Sequence, residues 1–266
     1  KYWKIKGFKW KILGVFFSSF IVRILYLYYL GFSYELTGDE PGYFNFGKML
    51  LGTAPDQYYL FRAPLAGLFL TPFFKIFDSS IFIARVVNVI ISSISVALFY
   101  FIVKNKFKLN SFLCTMIILI SIFYLPSVFY ANRILSENLT SLLTLLILNS
   151  LLILKKRVDY KNMILLGFFL GLLSLTRSSF FYLPLFIYLY IYFFYPKINS
   201  FKKILTSYFI FFATISPYAI YNFNLFGKIL LTEPRLGYGL YLCNNDLDHP
   251  DIRSGMYYRD NYLLNR

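Results

Sequence analysis

The chain has 266 residues, of which 58% are hydrophobic and 22% aromatic, and its formal net charge is +15. Soluble globular domains are about 45–50% apolar, so this composition excludes an ordinary soluble domain and indicates a protein that crosses a bilayer several times. The basic residues lie in short segments between apolar blocks. This arrangement is typical of loops that face anionic lipid and argues against a nucleic-acid-binding groove.

Seven apolar segments predict transmembrane helices, because about 20 apolar residues cross the hydrocarbon core as a helix. They lie at about residues 12–30, 81–103, 111–129, 135–154, 162–175, 179–195 and 204–222. Only helices satisfy the backbone of such segments within lipid. The sequence therefore predicts an all-α polytopic bundle of about seven helices, organised as a single transmembrane domain over residues 1–266. Arg23, inside the first segment, is expected to face protein or to snorkel.

The long loop 31–80 predicts two shorter helices beside the membrane. Residues 41–51 have the pattern of an amphipathic helix, and the apolar segment 64–77 is too short to span, which favours a re-entrant or interfacial helix. If this second segment were a full span, every later loop would lie on the opposite side of the membrane.

The distribution of charge predicts the orientation. With the N-terminus in the cytoplasm, the cytoplasmic segments carry 15 of the 27 basic residues, as the positive-inside rule requires. Loop 31–80 and the polar segment 226–266 then face the outer side. We expect a bacterial inner membrane, since the composition is rich in Phe, Tyr, Ile and Lys, with the active face periplasmic or extracellular.

Asp39 and Glu40 form an acidic pair in that outer loop, in a chain with only 12 acidic residues. One interpretation is that Asp39 caps the N-terminus of the helix that begins near Pro41. The other is that it serves as a general base and accepts a proton from an attacking hydroxyl. The two interpretations are compatible.

Other polar residues are predicted on the same outer face. Arg62 and Arg177 could neutralise a phosphate at the depth of the lipid headgroups, although an ordinary interfacial arginine and a hairpin turn explain them equally well. Arg85, at the start of a span, is a further candidate. Glu137 lies at the membrane boundary, where an ionisable group suggests function, but Ser136 and Glu137 could also serve as a helix cap and first-turn acid.

Several common site types are not indicated. The sequence contains no glycine-rich phosphate loop, nucleophile elbow or HExxH motif. The two cysteines, Cys114 and Cys243, do not form a disulfide framework or a metal-type spacing. His249, the single histidine, is a weak metal candidate in a polar stretch.

Four stretches resemble motifs of the GT-C type membrane glycosyltransferases, the group that includes protein O-mannosyltransferases and the aminoarabinose transferase that modifies lipid A. Gly38-Asp39-Glu40-Pro41-Gly42-Tyr43 resembles their first-loop acidic motif, and Arg62-Ala63-Pro64-Leu65 their basic-Pro-Pro-Leu element, with alanine for the first proline. Leu135-Ser136-Glu137-Asn138 and Leu175-Thr176-Arg177-Ser178 resemble their "SE" and "LTRP" elements. Two later stretches, at 222–227 and 239–245, are similar to their "RN…FG" and "NLYLGNN" stretches.

The resemblance implies a sugar transfer from a polyprenyl-phosphate donor to an acceptor hydroxyl, with inversion. Asp39 would be the base and Glu40 would position it or the acceptor. Arg62, Arg177 and Arg85 would bind the donor phosphate. Substrate contacts would come from Tyr43, Glu137, Asn244 and Asn245. The partners would be the donor lipid, a lipid, glycan or protein acceptor, and membrane lipid. No cofactor is required, although a divalent metal is compatible with the site.

Two alternatives stay open. A flippase or transporter of lipid-linked saccharides would place polar groups along the middle of several helices, whereas the predicted spans are nearly free of charge. A non-catalytic relative is the second alternative. Families of this type run longer, so we expect a further C-terminal part that this sequence does not contain.

Overall fold

The computed structural model describes residues 2–53, 62–107, 109–155, 159–194, 200–227 and 229–232. Ten α-helices occupy most of these residues, and none of the residues so described lies in a β-strand. In chain order the helices are α1 (Tyr2–Leu30), α2 (Glu40–Met49), α3 (Leu65–Phe77), α4 (Ile81–Ile102), α5 (Ser111–Phe123), α6 (Leu125–Ala131), α7 (Glu137–Leu154), α8 (Tyr160–Thr176), α9 (Leu183–Phe194) and α10 (Ser200–Phe226). The predicted all-α bundle is confirmed.

Four helical segments of the described chain are long and apolar enough to cross a membrane. They are Phe8–Leu30, Ile81–Phe107, Glu137–Leu154 and Phe201–Asn224, and the bent pair α5 and α6 could provide a fifth. The predicted segments 162–175 and 179–195 form α8 and α9, which are apolar but shorter. Many large apolar side chains of these helices face outwards, as a lipid environment permits.

The predicted span 111–129 is not continuous. The chain bends by 47° between α5 and α6, at Tyr124, whose backbone is extended. Pro126 explains the break, because a proline has no N–H to donate to the carbonyl of Ile122, four residues earlier. The single helix predicted from hydropathy is therefore wrong at this point.

Helix starts follow local capping chemistry in several places. The side chains of Ser80, Asn110 and Asp159 accept hydrogen bonds from the backbone N–H groups of Ile83, Leu113 and Asn162, at 2.8–3.1 Å. Each bond satisfies one of the N–H groups that the first turn of a helix leaves free. These caps set where α4, α5 and α8 begin.

Three clusters of buried apolar residues hold the helices together. The first joins α7, α8, α9 and α10, the second joins α2, α3 and the start of α4, and the third joins α1, the end of α4 and α5. The second cluster includes residues on both sides of the acidic pair in the chain. It includes Tyr43 and Phe44 of α2, which pack with Leu70 and Phe74 of α3.

Glycines allow α2 and α3 to approach closely. A Cβ atom on Gly67 would lie 2.8 Å from the carbonyl oxygen of Tyr43 and 2.7 Å from the ring of Phe46. A Cβ atom on Gly47 would lie 3.0 Å from both the carbonyl oxygen of Gly67 and the ring of Phe74. The absence of side chains at these two positions therefore fixes α2, and the residues at its N-terminus, against α3.

Candidate functional site

The polar residues of the first loop and of the α6–α7 connection meet at one end of the bundle. All four ion pairs found within the described ranges lie at this end. They join Asp39 to Arg62, Glu40 to Arg85, Glu40 to Arg133 and Glu137 to Arg177. The segments that were predicted to converge on one side are therefore in direct contact. The pairs of Asp39 and Glu40 form a larger group, and the pair Glu137–Arg177 forms a second one.

Glu40 is the centre of the larger group and is completely buried. One carboxylate oxygen accepts hydrogen bonds from Arg133 Nη1 at 2.8 Å and from the backbone N–H of Thr37 at 3.0 Å. The other oxygen accepts the backbone N–H of Ile134 at 2.9 Å. A carboxylate that accepts hydrogen bonds from one arginine and two backbone N–H groups is an anchor between the first loop and the α6–α7 connection.

Arg85 completes this anchor from α4. Its guanidinium carbon lies 3.2 Å from the ring centroid of Tyr34, and its Nη2 lies 3.9 Å from Glu40 Oε1. Arg85 is itself fully buried, so a phosphate would have to displace these contacts to reach it. The buried positive charge is compensated by the carboxylate and by the face of the aromatic ring.

Tyr34 links the same group to α6, because its hydroxyl donates a 2.7 Å hydrogen bond to the carbonyl of Asn132. Burial raises the pKa of the Tyr34 hydroxyl above its usual value, and the nearby positive charge of Arg85 opposes this shift. The hydroxyl therefore remains a neutral donor over the physiological range.

Asp39 contrasts with its neighbour because 52% of its side chain is exposed. It forms an ion pair with Arg62. Asp39 occupies the N-cap position of α2, with a proline in the first turn, but its side chain makes no capping hydrogen bond. The position predicted for a cap is correct, while the carboxylate points to a different partner. Asp39 thus presents a solvent-accessible carboxylate beside a cation.

The second group joins the start of α7 to the end of α8. Arg177 Nη2 donates to Glu137 Oε1 at 3.2 Å, and both side chains are partly exposed. Ser136 occupies the N-cap position of α7 without a side-chain capping bond. Glu137 also lines a cavity of about 620 Å³ between α4, α5, α6 and α7, whose wall carries the hydroxyls of Ser92, Ser127 and Thr140.

Tyr43, a predicted substrate contact, is buried, and its hydroxyl lies 3.4 Å from Ser136 Oγ. Access of a substrate to its ring would need movement of α2 or α7. Asn244, Asn245 and His249 lie outside the described residues, as does the segment 233–266. In the part of the chain that is described, no group of three or more His, Cys, Asp or Glu side chains is placed to hold a metal ion.

The sequence interpretation did not assign a role to two residues that organise this site. Arg133 binds Glu40 and also donates to the hydroxyl of Thr37. Tyr34 stacks on Arg85. The role of Arg133 could have been suspected from its position in a loop on the predicted outer face. Nothing in the local sequence distinguishes Tyr34 from the many other aromatic residues.

The family model described as dolichyl-phosphate-mannose-protein mannosyltransferase matches residues 61–221 of this chain. The chain belongs to this family. The matched range contains Arg62, Arg85, Glu137 and Arg177, while Asp39 and Glu40 precede it. No curated protein and no solved structure matches the chain.

Family membership confirms the resemblance seen in the motifs and establishes a membrane glycosyltransferase. Together with the apolar helices, it establishes an integral membrane protein. A lipid-linked sugar donor and an acceptor are the general partners of this class. The ion pairs Asp39–Arg62 and Glu137–Arg177 are the partly exposed charges that such a reaction could use.

Proposed function

We propose that this protein transfers a sugar from a polyprenyl-phosphate donor to an acceptor hydroxyl on the outer face of the membrane, with inversion at the anomeric carbon. The observation that carries this proposal is the exposed carboxylate of Asp39, paired with Arg62 and fixed beside the buried anchor of Glu40. An accessible base can accept the proton of an attacking hydroxyl, and a cation beside it can stabilise the negative charge on a leaving phosphate.

In the proposed step, Asp39 accepts the proton of the acceptor hydroxyl. The hydroxyl oxygen forms a bond to the anomeric carbon of the sugar, on the face opposite the phosphate. The bond between that carbon and the phosphate oxygen breaks, and polyprenyl phosphate leaves with the electron pair. The proton therefore ends on Asp39 and the new negative charge on the phosphate.

Arg62 stabilises that charge in this proposal. It lies at the start of the segment that leads into α3 and is only partly buried, so a phosphate at headgroup depth can reach it. A planar guanidinium binds two phosphate oxygens at once. Arg177 is proposed as a second phosphate contact and Glu137 as a substrate contact, since both are partly exposed.

Glu40 has a positioning role in the proposal. Its two oxygens are occupied by arginine and backbone donors, which leaves it fixed while Asp39, the preceding residue, remains accessible. The fixed carboxylate sets the position of the first turn of α2 and therefore of the base. Tyr43, Asn244 and Asn245 are proposed as substrate contacts, and Arg85 as a buried support of the same anchor.

We further propose that residues 1–266 form one transmembrane domain in a bacterial inner membrane, with the N-terminus cytoplasmic. Loop 31–80 would then lie on the periplasmic or extracellular side. The orientation rests on lysines at the end of the bundle opposite the ion pairs, for example Lys104 and Lys106 after α4, because basic loops stay in the cytoplasm. The step described above uses a donor that is already activated and needs no nucleotide.

The experiment is sugar transfer from a radiolabelled polyprenyl-phosphate mannose to the acceptors present in membranes that contain the protein, followed as release of free polyprenyl phosphate. Asp39→Asn keeps the size of the side chain and removes its basicity. We expect its rate to fall by about 10²–10⁴-fold, the usual contribution of a general base. Asp78→Asn is the matched control, because Asp78 is exposed in the same loop and asparagine keeps the size of its side chain.

The outcomes separate the hypotheses. Release by the wild-type protein and by Asp78→Asn, without release by Asp39→Asn, supports the proposal. Equal rates for wild type and Asp39→Asn would show that Asp39 is not the base. A wild-type protein that moves the labelled donor across the bilayer without cleaving it would instead support the transporter alternative.

A further inference from the structure

Arg23 lies within the apolar segment Phe8–Leu30 of α1 and is completely buried. A charge at such a position is costly unless polar partners satisfy it. Its partners come from three other parts of the bundle and from its own helix. Nε donates to Ser92 Oγ at 2.9 Å, Nη1 to Ser19 Oγ at 2.6 Å and to the carbonyl of Ile122 at 3.4 Å, and Nη2 to Ser127 Oγ at 2.9 Å.

Two of these partners lie on opposite sides of the break between α5 and α6. Ile122 belongs to the last turn of α5, and its carbonyl is the one that Pro126 cannot satisfy. Ser127 lies in the first turn of α6. The guanidinium therefore replaces the missing helix hydrogen bond on one side and holds the next helix on the other.

The far end of α6 leads directly to the site. After this helix of seven residues, about 10 Å long, the carbonyl of Asn132 accepts the hydroxyl of Tyr34. The next two residues, Arg133 and Ile134, donate to Glu40. The direction of α6 thus determines where the donors to Glu40 are placed.

We propose that Arg23 is a positioning residue for the transfer reaction. By bridging the break, it fixes the direction of α6, which fixes the two donors to Glu40 and thereby Asp39, the adjacent residue. This inference rests on the proposed function, because it assumes that Asp39 takes part in the reaction. Arg23 would therefore influence the reaction from a position that is separated from the site by the length of α6.

Ser127→Ala and Ser92→Ala form a matched pair for the test. Each removes one hydroxyl that accepts from Arg23 at 2.9 Å, and both residues line the same cavity. Ser127 lies beyond the break and Ser92 lies on α4, which the break does not affect. We expect Ser127→Ala to lower kcat for release of polyprenyl phosphate from the mannose donor by about tenfold. Ser92→Ala is expected to stay within about twofold of wild type, and KM for the donor to be unchanged in both.

A second measurement follows the connection without using activity. The backbone N–H of Ile134 is protected by its bond to Glu40, so its hydrogen–deuterium exchange reports whether the end of α6 is in place. We expect faster exchange at Ile134 in Ser127→Ala and in Arg23→Met, and wild-type exchange in Ser92→Ala. Arg23→Lys should recover part of the protection, because an ammonium keeps the positive charge and its donors but lacks the planar fork by which the guanidinium reaches both sides of the break.

The results distinguish this inference from the proposed function. Equal kcat values for the two serine variants in an active protein, or unchanged exchange at Ile134 in Ser127→Ala, would overturn the positioning role alone. A rise in KM with unchanged kcat would overturn it too, since it would indicate weaker donor binding. Lack of any release by the wild-type protein would overturn the proposed function, and this inference with it.

Discussion

At the scale of single residues, two adjacent carboxylates have opposite environments. Glu40 is buried among arginine and backbone donors, whereas Asp39 is half exposed and bound to Arg62. The difference arises because Glu40 is the first residue of α2 and points towards the bundle. The resemblance implied Asp39 as the base and Glu40 as a positioning residue, but the sequence could not show which of the two side chains is buried, since neighbouring positions carry no information about which one faces the interior.

Glu40→Gln should destabilise the protein far more than Asp39→Asn. Removing one partner of a buried ion pair leaves the charge on Arg85 uncompensated and costs about 3–5 kcal/mol. Asp39 is exposed, and loss of an exposed ion pair costs about 0–1 kcal/mol. Thermal unfolding of the two variants in the same detergent measures the difference. Similar unfolding temperatures would contradict the assignment of Glu40 as the anchor.

The Tyr34 hydroxyl should make stability depend on pH in the alkaline range. Its pKa is raised in the folded protein by burial, so above pH 10 the unfolded chain loses this proton more readily than the folded one. The stabilisation is therefore complete below the unfolded pKa and is lost as pH rises through the folded pKa. The measurement is the difference in unfolding temperature between wild type and Tyr34→Phe from pH 8 to 11.5. As pH rises, the unfolding temperature of wild type should fall relative to that of Tyr34→Phe. A constant difference would contradict this prediction.

At the scale of helices, α8 and α10 pack through a Gly-x-x-x-Gly pattern that hydropathy did not reveal. A Cβ atom on Gly167 would collide with the carbonyl oxygen of Ser207, and one on Gly171 would lie 2.6 Å from Thr214 Cβ. Small residues four positions apart let helix backbones approach closely in membranes. The pattern is visible in the sequence, but the identity of its partner helix is a property of the fold.

Gly167→Ala should destabilise the bundle by about 1–3 kcal/mol, because the collision involves backbone that cannot move away easily. Gly14→Ala in α1 is the control, since a Cβ atom there would meet no atom within 4 Å and alanine is the better helix former. Thermal unfolding of both variants tests the prediction. An equal or higher unfolding temperature for Gly167→Ala than for wild type would show that α8 and α10 are not in close contact.

At the scale of the whole molecule, the ion pairs of the described residues all lie at one end of the bundle, and lysines flank helix ends at the other. Alternating helices bring the segments around 39, 62, 85, 133, 137 and 177 to one side. The contacts of Glu40 then tie the first loop to α4 and to the α6–α7 connection. The hydrogen bond between Glu40 and Ile134 joins residues that are 94 positions apart in the chain.

Thr53→Cys and Asn105→Cys, each in a protein without native cysteines, test the proposed sidedness. Thr53 lies exposed after α2, and Asn105 lies exposed after α4, at the opposite end. A membrane-impermeant maleimide added to cells with a permeable outer membrane should label the first directly. The second should be labelled only after the inner membrane is opened. The reverse pattern would place the ion-paired end in the cytoplasm.

The sequence by itself determined the all-α membrane architecture, the positions of most helices and the family. Apolar length and charge asymmetry decide these features locally, and the motifs around Asp39, Arg62, Glu137 and Arg177 are contiguous stretches. Only the tertiary structure decided that α5 and α6 are bent apart and that Arg23 bridges them. It alone showed that Glu40 is an anchor while Asp39 is accessible. These features depend on which faces of distant helices meet, and that outcome is set by packing and by pairing of buried charges over long sequence separations.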